Sequence, residues 1–111
     1  MKKQFRIKKT QEIEQVMKNQ KSVGSKELRI FIKKNDETGH FRYAISVGKK
    51  IGNAVERNKY KRRLRAIVST NSTIIPSNLD IFIVAKPELT RLNYKESEKL
   101  FLYLLKKINK N

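Results

Sequence analysis

Arg42-Tyr43-Ala44-Ile45-Ser46-Val47-Gly48-Lys49-Lys50-Ile51-Gly52-Asn53-Ala54-Val55-Glu56 reads as a strand that hands over to a helix. Phe41, Tyr43, Ile45 and Val47 recur with a period of two, while Arg42, Ala44 and Ser46 point to the opposite face, the mark of a half-buried strand. Gly52-Asn53 breaks that pattern. Asn53 followed three positions later by Glu56 resembles a capping box, with Asn in place of the usual Ser or Thr. A helix is therefore predicted from 54 to about 70.

Working upstream, residues 27–33 also alternate: Leu28, Ile30 and Ile32 share one face, and Glu27, Arg29, Phe31 and Lys33 share the other. The cluster Asn35-Asp36-Glu37-Thr38-Gly39 reads as a turn, so the two strands are expected to form an antiparallel hairpin. Before them, Thr10 is the expected N-cap of a short helix over about 11–19. Glu12 and Glu14 are expected in its positive first turn, and Ile13, Val16 and Met17 form its apolar stripe. Phe5 and Ile7 are expected beneath it.

Downstream, 71–78 with Pro76 reads as a loop. Ile81-Phe82-Ile83-Val84 is apolar on both faces and predicts a central strand covered on both sides, ended by Lys86-Pro87. Asn93 with Glu96 repeats the capping pattern, and Leu100, Phe101, Leu104, Leu105 and Ile108 stripe a final amphipathic helix. Helix, strands, helix, strand, helix makes an α+β sandwich in one domain over residues 1–111, with helices packed on one sheet. The ordinary expectation for its strand–helix–strand unit is a right-handed crossover.

Charge dominates the composition. Lys and Arg number 27 against 10 Asp and Glu, a formal net charge of +17 in 111 residues. That excess repels itself unless a polyanion offsets it, which points to nucleic acid or an anionic membrane surface. With no Cys and a single His, His40, disulfide frameworks and the common zinc sites are excluded. The longest apolar run, 81–85, is far too short to span a bilayer. Residues 1–9 are basic with no apolar stretch behind them, unlike a secretory signal. The default location is cytoplasmic.

The basic residues concentrate in one place. Residues 49–65 hold eight Lys or Arg and one acid, Glu56. At ~100° per residue, Arg57, Asn58, Lys61, Arg62 and Arg65 are expected on one face about 140° wide. Tyr60, Leu64, Ile67 and Val68 are expected on a separate apolar arc, with Lys59 and Arg63 on the remaining flank. Charge runs on helices are usually just solvated faces, but here the interspersed acids are missing and the whole chain is basic. Four like charges on one face disfavour an isolated helix by a few tenths of a kcal/mol per i,i+4 pair. A docked polyanion reverses that sign. Arg grips phosphate oxygens bidentately, and Asn58 can both donate to and accept from a base or ribose.

The block from Arg42 to Asn58, continued by Lys61-Arg62 and Arg65, resembles the signature of the bacterial ribonuclease P protein family, whose core is Arg-Asn-x-x-Lys-Arg-x-x-Arg. Arg6-Ile7-Lys8-Lys9, Val84-Ala85-Lys86-Pro87 and the final helix fall where the family has equivalents, so the resemblance spans the chain. It implies a ribosomal protein S5 domain 2-like sandwich with an unusual left-handed crossover, in place of the ordinary right-handed one. It implies an endoribonuclease holoenzyme that removes the 5′ leader of precursor tRNA, with the active site and Mg²⁺ held mainly by a catalytic RNA subunit. This chain's partners would be that RNA and precursor tRNA, with no small-molecule ligand; no residue of the chain is singled out as catalytic or metal-ligating.

Carried over by position, Lys49, Lys50, Asn53, Arg57, Asn58, Lys61, Arg62 and Arg65 are the implied RNA-binding residues. Lys9, Ile13, Met17 and Phe31 are the implied lining of a leader cleft between the first helix and the sheet. Many family members place aromatic residues where this chain has Ile13 and Met17. These two can pack against a base but not stack on one, and they read equally as ordinary core. Phe31 is an aromatic on an otherwise charged strand face; it either stacks on an unpaired base or lies covered by the first helix.

Two rival readings compete. A structural RNA binder such as a ribosomal protein shares the charge but not the motif. A self-sufficient nuclease would need clustered acids or His chemistry, and only Asp36, Glu37 and His40 lie near one another, in a turn where acids are usually solvent-exposed. Membrane insertion would need a bulky exposed apolar face that the basic helix lacks.

Overall fold

The computed structural model describes residues 3–19 and 21–109. Three helices, α1 (Thr10–Lys18), α2 (Ala54–Thr70) and α3 (Tyr94–Asn109), pack on a sheet of four strands: β1 (Lys21–Gly24), β2 (Leu28–Lys34), β3 (Arg42–Val47) and β4 (Leu79–Ala85). The strand order is β1-β2-β4-β3. Among the described residues no helix is long and apolar enough to cross a membrane.

The expected hairpin does not form. β4 lies between its two strands, antiparallel to β2 and parallel to β3. The reason is in the apolar run: Ile81, Phe82 and Ile83 are all buried, and a strand apolar on both faces gains most with neighbours on both edges. Residues 35–41 are long enough to step over the ~9.6 Å gap that one inserted strand opens. β1 escaped the pattern analysis because Lys21-Ser22-Val23-Gly24 carries one apolar side chain and no alternation.

The sheet's two faces have different jobs. Leu28, Ile30, Ile32, Tyr43, Val47, Ile81, Ile83 and Ala85 pack against Tyr60, Leu64, Ile67 and Val68 of α2 and Phe101, Leu104, Leu105 and Ile108 of α3 in the main core. On the opposite face α1 covers a smaller cluster of Ile7, Val16 and Phe82, with Ile13, Phe31, Ala44 and Val84 around it. Helices on both faces explain why β4 has no polar side.

Both predicted Asn caps are present. The Asn53 Oδ1 accepts from the Glu56 N–H at 3.0 Å. The Asn93 Oδ1 accepts from the Glu96 N–H at 2.8 Å while Glu96 accepts from the Asn93 N–H at 3.0 Å, a complete reciprocal box. Asn93→Ala should therefore destabilise the protein by about 1 kcal/mol, read as a lower urea midpoint at unchanged slope. At α1 the expectation fails: Thr10 is the first helical residue, and Lys9 occupies the cap position without a side-chain bond. The Lys9 carbonyl instead receives the Glu12 and Ile13 N–H groups, at 3.0 and 3.2 Å. Glu12 alone lies in the first turn; Glu14 falls in the second.

Candidate nucleic-acid interface

The basic segment begins where β3 ends. Lys49 and Lys50 stand exposed on a single 3₁₀ turn, Lys49–Ile51, and Gly52 (φ 152°) turns the chain into α2. Any side chain at Gly52 would also meet the Glu56 side chain at 3.0 Å. Asn53 is exposed, but its side-chain oxygen is occupied by the cap, which leaves its amide N–H₂ as the group it can offer.

Along α2, Asn58, Arg62 and Arg65 are exposed and Lys61 is half-buried. The other polar flank, Lys59 and Arg63, lies against the buried Tyr60 ring at 5.6 and 5.3 Å. Arg57 departs from the expected separation of arcs. It is half-buried, and its Nε is shielded from solvent with no hydrogen-bond partner. At ~100° per residue Arg57 stands about 60° from Tyr60, between Leu64 and Val68, so the apolar and cationic arcs overlap there.

Among the described residues the ion pairs are Arg42–Glu12 and Arg42–Asp80, so no Lys or Arg of α2 is paired with a carboxylate. The cationic stripe is thus neither neutralised nor turned inward.

Beside it runs a groove of about 430 Å³, lined by Arg6, Ile7, Lys8, Ile13, Tyr43, Ala44, Ile45 and Arg65. The groove forms because residues 6–8 lie along the free edge of β3, with Arg6 bridging to Tyr43 and the Ile7 N–H donating to the Tyr43 carbonyl at 2.8 Å. Arg65 of α2 and Ile13 of α1 line the same space. The geometry therefore joins one residue from each of the two predicted groups.

The other three predicted cleft residues, Lys9, Met17 and Phe31, do not line this groove. Phe31 is half-buried and lies nearly parallel to Phe82, centroids 6.2 Å apart. It shares the α1-side cluster with Ile13. Met17 stands apart from that cluster and is 43% exposed. Lys9 is exposed at the start of α1. Arg6 and Lys8 belong to the groove but entered the sequence reading only as flanking matches. Arg29 and Lys33 flank Phe31 on its strand face, a placement the period-two alternation already contained.

Charge on the α1 side is organised around Arg42. Its Nε and Nη2 donate to the two oxygens of buried Asp80 at 3.0 and 2.7 Å, and Nη2 also donates to Glu12 of α1 at 2.9 Å. Asn35 donates to both Asp80 oxygens at 3.2 Å. The hydrogen bond to Asp80 is the largest influence on Arg42 and raises its pKa above the ordinary value despite burial; Glu12 adds to it. The guanidinium fills the space between the two carboxylates, so a divalent cation there would have to displace it. Among the described residues no three His, Asp or Glu side chains converge as a ligand set for a metal ion. In the turn, Asp36 and Glu37 are exposed, and His40 sits against Phe5 with its Nδ1 2.9 Å from the Phe41 carbonyl. Among the described residues no side-chain hydrogen bond joins these three to one another.

Fold and site together define a class: small basic α+β proteins that present an unpaired cationic helix beside a groove at the sheet edge. Residues 1–109 match the family described as Ribonuclease P. A ribonuclease P protein component from Acholeplasma laidlawii is 48% identical over 94 residues, covering 85% of this chain and 80% of the relative. One from Enterococcus faecalis is 38% identical over 96 residues, covering 86% and 81%. The solved RNase P protein of Staphylococcus aureus superposes with a TM-score of 0.86 at 32% identity, covering 94% of each chain. That of Thermotoga maritima gives 0.82 at 28%, covering 92% of this chain and 96% of the other. The chain belongs to the bacterial ribonuclease P protein family. As a member it takes part in an endoribonuclease that processes the 5′ end of tRNA.

Proposed function

We propose that this chain docks on the catalytic RNA of a cytoplasmic ribonuclease P through the stripe Asn58, Lys61, Arg62 and Arg65, supported by Lys49, Lys50, Asn53 and Arg57. In this reading the single-stranded 5′ leader of precursor tRNA enters the groove at Ile13 and continues beyond its lining over Lys9, Met17 and Phe31. The RNA subunit carries the active site and its Mg²⁺ ions, and the protein raises affinity for substrate and metal. The observation that carries this is the unpaired cationic face of α2 meeting the groove at Arg65.

Each phosphate neutralised by Lys or Arg releases counterions, which drives association and makes it salt-dependent. Arg57 is half-buried with its Nε shielded, so its remaining guanidinium N–H groups are the donors it can offer a phosphate. The test is reconstitution with a cognate RNA subunit and measurement of precursor-tRNA cleavage at low Mg²⁺. Faster cleavage with the protein than without is expected; cleavage by the protein with no RNA subunit would refute the division of labour.

Phe31 tests the leader path. Half-buried beside Phe82, its ring can receive a base, a contact typically worth ~1–3 kcal/mol. Phe31→Ala should weaken holoenzyme binding of precursor tRNA about 5- to 100-fold, with mature tRNA unaffected. Equal losses on both would assign Phe31 to the core or to the tRNA body instead.

A further inference from the structure

α1 is a nine-residue helix with one fully buried side chain, Val16. Ile13 packs half-buried beside it, and these two apolar contacts hold the helix over the sheet while constraining its roll about its own axis only weakly. Two unlike edges flank Val16. At ~100° per residue, Ile13 and Met17 stand on one side of Val16, and Ile13 lines the groove. Glu12, Gln15 and Asn19 stand on the other.

Every member of that polar edge is tied to the sheet. Glu12 accepts from Arg42 at 2.9 Å, Gln15 accepts from Lys33 at 3.4 Å, and the Asn19 amide donates to the Ile32 carbonyl at 3.1 Å. The ties are unequal. Lys33 is a flexible surface cation at the limit of hydrogen-bond distance, and Asn19 holds only the far end of the helix. Arg42 is different, because its guanidinium is locked in plane by two bonds to buried Asp80, which Asn35 holds in turn. It therefore offers Glu12 a fixed point on the sheet, set in the register row Lys33, Asp80, Arg42 next to the row Phe31, Phe82, Ala44.

We propose that Glu12 and Arg42 are positioning residues: their contact sets the roll of α1, and so aims Ile13 into the groove and carries Met17 with it on the same edge. This rests on the leader reading above. If the roll is free, the groove still exists, but its apolar wall is ordered only when the leader arrives, and binding loses that ordering cost.

The test uses the reconstituted holoenzyme and three variants: Glu12→Ala, Glu12→Gln and Arg42→Lys. Alanine keeps helix propensity, and Glu12→Ala leaves the Asp80–Arg42 pair intact, so the fold is retained. Glu12→Ala should weaken binding of leader-bearing precursor about fivefold, the effect of one lost hydrogen bond. Mature tRNA affinity and the cleavage rate constant at saturation should not change. Glu12→Gln keeps an acceptor oxygen and should recover to within about twofold of wild type. Lysine lacks the planar fork that grips both Asp80 oxygens while reaching Glu12, so Arg42→Lys should reproduce the leader-specific loss, with no further loss in combination with Glu12→Ala. Unchanged precursor affinity in Glu12→Ala, or an equal loss on mature tRNA, would overturn the proposal. A wild-type holoenzyme that holds precursor and mature tRNA alike would instead refute the leader reading, and this inference with it.

Discussion

Replacing Lys61, Arg62 and Arg65 together with alanine will reduce affinity for the catalytic RNA about 100-fold at 0.15 M salt. The figure follows from counterion release: each lost phosphate contact removes ~0.7–0.9 from the slope of log K against log salt, worth about 4- to 6-fold between 1 M and 0.15 M. Three contacts then remove roughly 2–2.7 from the slope. Stability should move the other way. These side chains have no carboxylate partner, their i,i+4 and i,i+3 neighbours Arg57–Lys61, Lys61–Arg65 and Arg62–Arg65 repel, and alanine is the better helix former. A variant that melts at or above the wild-type temperature yet binds weakly separates docking from folding. An unchanged salt slope would remove this face from the interface.

The second large effect is on stability. Asp80→Ala should cost about 3–5 kcal/mol, the range for removing one partner of a buried pair. Asp80 is 4% exposed and takes four hydrogen bonds, two from Arg42 and two from Asn35. Without it the Arg42 guanidinium keeps only Glu12, and Asn35 loses its acceptors. Equilibrium urea unfolding measures the loss, and at roughly 4–8 °C per kcal/mol for a domain of this size the melting temperature should fall by more than 10 °C. A cost below 1 kcal/mol would mean that Arg42 swings to solvent and that the cluster contributes little to the fold.

Which parts of this were legible in the sequence follows from the range of the interactions involved. α2 and α3 could be read because their signals are local: Asn caps at 53 and 93, and apolar residues at helical spacing. The cationic stripe was equally local, except at Arg57, where two arcs overlap and only packing decides how far the side chain is shielded. Strand order was not legible. β2 and β3 are neighbours in sequence and alternate cleanly, yet β4 separates them, because its two apolar faces outweigh the short connection. The Arg42–Asp80–Glu12 cluster joins residues 30 and 38 positions apart, and no pattern within one element announces it. Groove residues Arg6 and Lys8 depend in the same way on where residues 6–8 lie against β3. Family resemblance added RNA-binding roles to the helix stripe and Phe31; it did not name the residues that tie α1 to the sheet.

The central claim is that α2's outer face lies on the catalytic RNA, and a tethered probe tests it most directly. The chain has no cysteine, so Arg62→Cys supplies a unique attachment point for an iron chelate that generates hydroxyl radicals. In an active reconstituted holoenzyme the account predicts a compact set of strand cuts in the RNA subunit that fades as salt dissociates the complex. An active holoenzyme showing no cuts above those of the cysteine-free protein would contradict it.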